Sequence, residues 1–204
     1  MRIEGLYALT DSRCCTQQGM GRIAAALDGG VRMLQLRCKS PALTVEYGRQ
    51  LVSLAHSFGV PVIINDDVEL AYAICADGVH LGQDDGSIEE ARAVLGAQAI
   101  IGVSCYASLA QARDAAARGA DYLAFGSFYP SRTKPQAPRA TPDVLAAARV
   151  FGKPLVAIGG ILPENGGALV AAGASALAVI DGIFGQPDIT GAARAYQHIF
   201  EERS

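Results

Sequence analysis

Apolar positions along this chain come in short runs that alternate with longer segments of helical spacing. β-Branched or apolar runs recur at 6–10, 33–37, 62–65, 78–81, 100–104, 122–126, 155–158 and 176–180. Each has the length of a strand and is near-continuously apolar, as expected of strands that helices cover. Ala-rich segments lie between most of them. In residues 108–118, Leu109, Ala112, Ala116 and Ala117 can face inward while Gln111, Arg113, Asp114 and Arg118 stay in water. Ser87, with Glu90 three residues on, predicts a capped helix start. Residues 143–150 predict another helix. Gly59, Gly96, Gly119, Gly152 and Gly173 each stand just before the next strand, where a left-handed cap is expected.

Strand, helix, strand, repeated, implies a parallel sheet. Eight runs leave roughly 25 residues per unit, lean for a barrel of this type. Ala76-Asp77-Gly78, Gly119-Ala120-Asp121 and Gly173-Ala174-Ser175 lead into strands in the same way, a weak internal echo. The expected architecture is an α/β fold, a single (β/α)8 TIM barrel with short loops, with residues 1–204 as one domain. An open doubly wound sheet is the alternative, but no G-x-G-x-x-G follows the first run. The Pro-rich, basic stretch 130–142 reads as a loop.

Composition narrows the function. Half the residues are hydrophobic and 18% are charged, which excludes a disordered chain. A net charge of −3 lacks the basic footprint of a nucleic-acid binder. Arg2 and Glu4 interrupt the start, so no signal peptide is expected. The uncharged run 165–180 is too short and too polar for a membrane span. Five cysteines without a C-x-x-C pair read as reduced thiols of a cytoplasmic protein, with no zinc site or disulfide frame. The apolar content permits a homo-oligomer.

In a barrel of this class the active site lies at the C-terminal strand ends, and polar residues crowd there. Gln35 and Arg37 share one face of the second strand. An unpaired Arg inside is costly, so Arg37 requires an anion: Asp66 or Asp67, or a bound phosphate. Asp66 and Asp85 end adjacent strands and fit a Mg²⁺ site; the other reading makes them helix caps, and Asp67 and Asp84 blur the assignment. Ser131, Thr133 and Lys134 form a diphosphate clamp or an ordinary polar loop. Gly159-Gly160 and the turn after the eighth strand suit a phosphate or a tight turn. His56 and His198 read as surface residues and His80 as a buried supporting histidine. No Ser-His-Asp or Cys-His set assembles.

Six segments carry a resemblance: Leu6-Tyr-Ala-Leu-Thr-Asp11, Gln35-Leu-Arg-Cys-Lys39, Ile64-Asn-Asp66, Asp77-Gly-Val-His-Leu-Gly-Gln-Asp-Asp85, Pro130-Ser-Arg-Thr-Lys134 and Ala157-Ile-Gly-Gly-Ile161. In this order the chain resembles the thiamine-phosphate synthase family over nearly its whole length. That family joins an aminopyrimidine methyl diphosphate to a thiazole phosphate, giving thiamine phosphate and diphosphate. The resemblance implies pyrimidine-diphosphate contacts at Gln35, Leu36, Arg37, Cys38, Lys39, Asn65, Ser104 and Lys134. It implies Mg²⁺ at Asp66 and Asp85. It assigns Ser131, Arg132 and Thr133 to the thiazole phosphate, with Gly159 or Gly160 and the Ile180-Asp181 turn. Arg37, Lys39 and Lys134 would stabilise the departing diphosphate. Closure of the loop 130–140 would exclude water from a reactive cation.

Two positions depart from the family pattern. Ser131 stands where threonine is common and keeps the hydroxyl. Asp181 stands where many members have serine; it would repel a phosphate unless it points away or a cation intervenes. A thiazole tautomerase of the same fold needs no diphosphate-metal site, and that branch tends to carry histidine where Tyr106 stands. Asp66, Asp85, Lys134 and Tyr106 therefore favour the synthase. A non-catalytic phosphate-binding barrel would not need both aspartates and every clamp residue.

Overall fold

The computed structural model describes residues 2–38, 44–82, 85–130 and 139–201. Eight parallel strands close a barrel in chain order: β1 (Gly5–Leu9), β2 (Met33–Leu36), β3 (Val62–Asn65), β4 (Gly78–Leu81), β5 (Ile100–Tyr106), β6 (Tyr122–Phe125), β7 (Leu155–Ile158) and β8 (Ala176–Val179). β8 pairs back onto β1, with Tyr7 opposite Ala178. The register also sets Leu9 beside Gln35 and Asn65 beside His80. The expected barrel is therefore present, and its strand positions match the apolar runs to within two residues at either end.

The helices are α1 (Gly19–Asp28), α2 (Val45–Ser57), α3 (Val68–Ala73), α4 (Ile88–Leu95), α5 (Leu109–Ala117), α6 (Asp143–Ala148), α7 (Pro163–Ala172), α8 (Asp181–Phe184), α9 (Ile189–Ala195) and α10 (His198–Glu201). Ser87 and Glu90 form the reciprocal capping box at the start of α4. All five glycines expected at helix ends have positive φ. Two expectations shift in detail. On α5 the buried residues are Ala112 and Ala115, and Leu109 is exposed, so the inward stripe is rotated from the expected one. The expected helix 143–150 tightens into a 3-10 turn, Arg149–Phe151, and stops at Gly152 in the left-handed region.

Packing divides by strand parity, because alternate side chains point to opposite faces. Leu34, Leu36, Ile64, Leu123, Phe125 and Leu177 join the layer between sheet and helices. Burying each such side chain contributes about 1.5–3 kcal/mol, so this larger cluster supplies most of the stability. Tyr7, Leu9, Met33, Ile63, Tyr122 and Val156 fill the barrel interior. Among the described residues no helix is long and apolar enough to cross a membrane.

Gly102 shows how tightly that interior is filled. It faces inward opposite Tyr122, and a Cβ there would lie 1.9 Å from the ring. The ring cannot step aside without breaking its buried hydrogen bonds. Gly102→Ala is expected to destabilise the fold by about 1–3 kcal/mol, the usual cost of overpacking. Urea unfolding measures this; an unchanged midpoint would show that Tyr122 can move.

Candidate active site

A cavity of about 560 Å³ opens at the C-terminal ends of the strands. It collects side chains whose strand parity points inward. On β2, Gln35 is buried and its Nε2 donates to the Tyr7 hydroxyl at 2.8 Å. Two residues on, Arg37 lines the same cavity, and its backbone N–H donates to Thr10 Oγ1 at 2.8 Å. The same alternation turns Leu36 outward: it is 1% exposed in the layer under the helices. Leu36 is therefore corrected from a substrate-contact position to a packing position, as far as its side chain goes. Arg37 forms no ion pair with Asp66 or Asp67; the ion pairs among the described residues lie elsewhere.

Beneath the cavity runs a chain of five hydrogen-bonded side chains from β2 to β5. Gln35 donates to Tyr7, whose hydroxyl lies 2.9 Å from that of Tyr122. The Tyr122 hydroxyl lies 2.9 Å from His80 Nδ1, and His80 Nε2 lies 2.8 Å from Ser104 Oγ. One proton order satisfies each of these contacts. Tyr7 accepts from Gln35, so its own proton goes to Tyr122. Tyr122 then donates to His80 Nδ1, and the Nε2–H of His80 donates to Ser104. Burial raises both tyrosine pKa values well above 10 and keeps these groups neutral. His80 also stacks on the Tyr122 ring at 5.6 Å.

Asp66 and Asp85 both line the cavity. Neither caps the helix that follows: Asp67 accepts from Leu70 N–H at the start of α3, and Ser87 caps α4. The cap reading of the two aspartates is thus excluded. Asp66 sits at φ +67, a left-handed conformation that Asp tolerates better than most residues. Asn65, also at the cavity wall, donates from Nδ2 to Asp66 Oδ2. The Gly82 N–H donates to Asp85 Oδ2 at 2.8 Å. The described residues contain no group of three or more His, Cys, Asp or Glu around one point. Two carboxylates fit Mg²⁺, which usually takes one or two and fills its remaining positions with water and substrate oxygens.

Opposite them, Gly159 and Gly160 follow β7 with φ values of +108 and +61. A Cβ on Gly160 would lie 2.3 Å from the Pro130 carbonyl oxygen. Tyr129 N–H donates to the Gly159 carbonyl at 2.9 Å. The diglycine turn thus packs against the segment after β6 at Tyr129 and Pro130. Ile180 and Asp181 line the wall at the start of α8. The charge of Asp181 acts on Arg13, whose guanidinium is held chiefly by hydrogen bonds to Asp11 and also donates to the Phe184 carbonyl at 2.6 Å.

Gln35, Arg37, Asn65, Asp66, Asp85 and Ser104 are brought together with Gly159, Gly160, Ile180 and Asp181. Lys39, Ser131, Arg132, Thr133 and Lys134 lie outside the described residues, as do Asp84 and most of the loop expected to close. Cys38 does not line the cavity. Its Sγ is bonded to Cys15, with the Cα atoms 5.9 Å apart. This corrects the reading of all five cysteines as reduced thiols. Asp11 caps the 3-10 turn Ser12–Cys14, and that turn folds Cys15 back toward the exit of β2. The pairing was hidden by 23 residues of sequence separation. Tyr7 and Tyr122 were also missed as site residues. Their signal was a hydroxyl at inward parity in an apolar run, which needs a partner when buried.

A closed β/α barrel with an arginine, paired carboxylates and a diglycine turn at its mouth defines a phosphate-handling barrel enzyme. Residues 6–183 match the family model described as thiamine monophosphate synthase, and the chain belongs to that family. It is 50% identical over 202 residues to the thiamine-phosphate synthase of Nitrosococcus oceani, covering 97% of this chain and 93% of that one. Identity to the thiamine-phosphate synthase of Thiobacillus denitrificans is 48% over 199 residues, covering 96% and 94%. The solved thiamine phosphate pyrophosphorylase of Pyrococcus furiosus superposes with a TM-score of 0.87 at 33% identity, covering 97% of this chain and 96% of that one.

Two outcomes follow from the buried chain. Tyr122→Phe removes the hydroxyl contacts to Tyr7 and His80, and is expected to cost about 1–3 kcal/mol in urea unfolding. A loss below 0.5 kcal/mol, roughly the least a net hydrogen bond contributes, would argue against these two hydrogen bonds. The folded tyrosines keep their protons at pH values where the unfolded chain releases them. Their contribution is whole below about pH 10 and declines as pH rises above it. Thermal melting from pH 9 to 11 should therefore show a steeper loss in the wild type than in Tyr122→Phe.

Proposed function

We propose that the cavity joins an aminopyrimidine methyl diphosphate to a thiazole phosphate in the cytoplasm, with Mg²⁺, by a dissociative route. The chain is a transferase of thiamine biosynthesis, a thiamine-phosphate synthase. The observation that carries the route is the convergence of Gln35, Arg37, Asp66, Asp85 and Ser104 with Gly159-Gly160 in one cavity. No nucleophilic side chain paired with a base is needed, because the reaction is a displacement at carbon.

Each residue has a stated task. Gln35 and Ser104, held by the hydrogen-bond chain, present an amide and a hydroxyl group to the pyrimidine. The carbon–oxygen bond to diphosphate breaks, and its electron pair leaves with the diphosphate. The aminopyrimidine shares the positive charge left on the methylene carbon. The thiazole nitrogen then attacks that carbon, forming the carbon–nitrogen bond. Arg37 faces the departing charge from the end of β2, with Lys39 and Lys134 as further cations. Asp66 and Asp85 would hold Mg²⁺, which supplies charge neutralisation at the diphosphate when bound. The diglycine turn, with Ser131, Arg132 and Thr133 beyond it, receives the thiazole phosphate. The protein's main contribution is positioning of two substrates.

The test is one assay with both substrates and Mg²⁺, following thiamine phosphate, with an EDTA control. Product that disappears with EDTA is expected. No product from folded protein would overturn the reading. Asp66→Asn and Asp85→Asn should each raise the Mg²⁺ concentration for half-maximal activity at least tenfold, about 1.4 kcal/mol of lost binding. Full activity at the wild-type Mg²⁺ requirement would remove that residue from the metal site.

A further inference from the structure

Cys15 and Cys38 stand at the exits of two neighbouring strands. Cys38 follows Arg37 directly, and Cys15 follows the 3-10 turn after β1. Their Cα separation of 5.9 Å is within the range a disulfide spans without backbone movement. The two sulfurs differ in access: Cys15 is 1% exposed, whereas Cys38 is half-buried. The neighbouring Cys14 is buried and its thiol is pushed up to about 12 by that burial, so it competes poorly as a thiolate.

We propose that Cys15 and Cys38 are a reversible redox pair that, when closed, pins the β2 exit and holds Arg37 at the cavity wall. The oxidant class is a small disulfide, for which oxidised glutathione serves as the probe. The Cys38 thiolate attacks one glutathione sulfur, forming a mixed disulfide and releasing one glutathione thiolate. The Cys15 thiolate then attacks the Cys38 sulfur, forming the internal bond and releasing the second. The two protein thiols lose two electrons and two protons, and one glutathione disulfide becomes two glutathione thiols. A thiol reductant reverses both steps.

The physical consequence lies in preorganisation. Arg37 is anchored on one side by its N–H bond to Thr10. The bridge adds a covalent anchor one residue later. An anion-binding side chain on a pinned segment loses less freedom when its ligand arrives. This consequence rests on the reading of Arg37 as a diphosphate contact; the existence of the pair does not.

The experiment compares the full chain incubated with oxidised glutathione and with dithiothreitol. Free thiols are blocked before digestion and peptide mass mapping. A peptide containing Cys15 joined to one containing Cys38 is expected, reversed by dithiothreitol. The oxidised form should melt several degrees higher, because the bridge constrains the unfolded chain. Its KM for the pyrimidine diphosphate should be roughly two- to tenfold lower with kcat little changed, as preorganisation predicts. Cys15→Ser should abolish all three oxidised-minus-reduced differences. Glutathione remaining on Cys38, no cross-linked peptide, or a cross-linked form with unchanged KM would each overturn the proposal. If neither form turns over substrate, the functional reading falls, while the peptide map and the melting difference still decide the pair.

Discussion

Strand parity is the constraint on which the rest of this molecule depends. A closed parallel barrel gives every strand two environments, and alternate residues must suit one or the other. Leu34 and Leu36 pack under the helices while Gln35 and Arg37 face the cavity. Shifting β2 by one residue would bury Arg37 against apolar side chains and expose two leucines to the mouth. Burial of the apolar set fixes the register, and the register in turn fixes which polar side chains meet. The site is thus a by-product of the same packing that stabilises the fold.

The floor of the cavity shows a second consequence. Polar groups inside a barrel need partners, since an unmade buried hydrogen bond costs about 1–3 kcal/mol. Gln35, Tyr7, Tyr122, His80 and Ser104 come from five different strands and satisfy one another. No adjacent pair would suffice alone, because each interior group passes its proton or lone pair to the next. The chain ends in two groups that face the ligand space. Gly102 makes room for the central ring, so an apparently featureless glycine belongs to the same arrangement.

Legibility in the sequence follows from the range of each interaction. The eight strands and the capping box at Ser87 depend on patterns within a few residues, and the apolar runs mark them. The stripe on α5 was misjudged because Ala is nearly indifferent to side; the neighbouring elements select Ala115 over Leu109. The Cys15–Cys38 contact and the Tyr7–Tyr122 hydrogen bond span 23 and 115 residues. Such pairs are set by barrel closure and leave no local spacing to read. Leu36 shows the complementary case: membership of a motif placed it in the site, and its parity turns its side chain under the helices.

The aspartates illustrate how role follows position rather than residue type. Asp66 and Asp67 are adjacent and chemically identical, yet one faces the cavity and the other caps α3. The positive φ at Asp66 turns the chain between them, so the two side chains diverge. Asp67 spends its carboxylate on Leu70 N–H, and Ser87 performs the equivalent task for α4. Because the caps are provided by other residues, Asp66 and Asp85 can face the mouth without leaving a helix end unsatisfied. Asp66, Asp85 and Asp181 share the cavity wall with Arg37, so carboxylates and a guanidinium face one space.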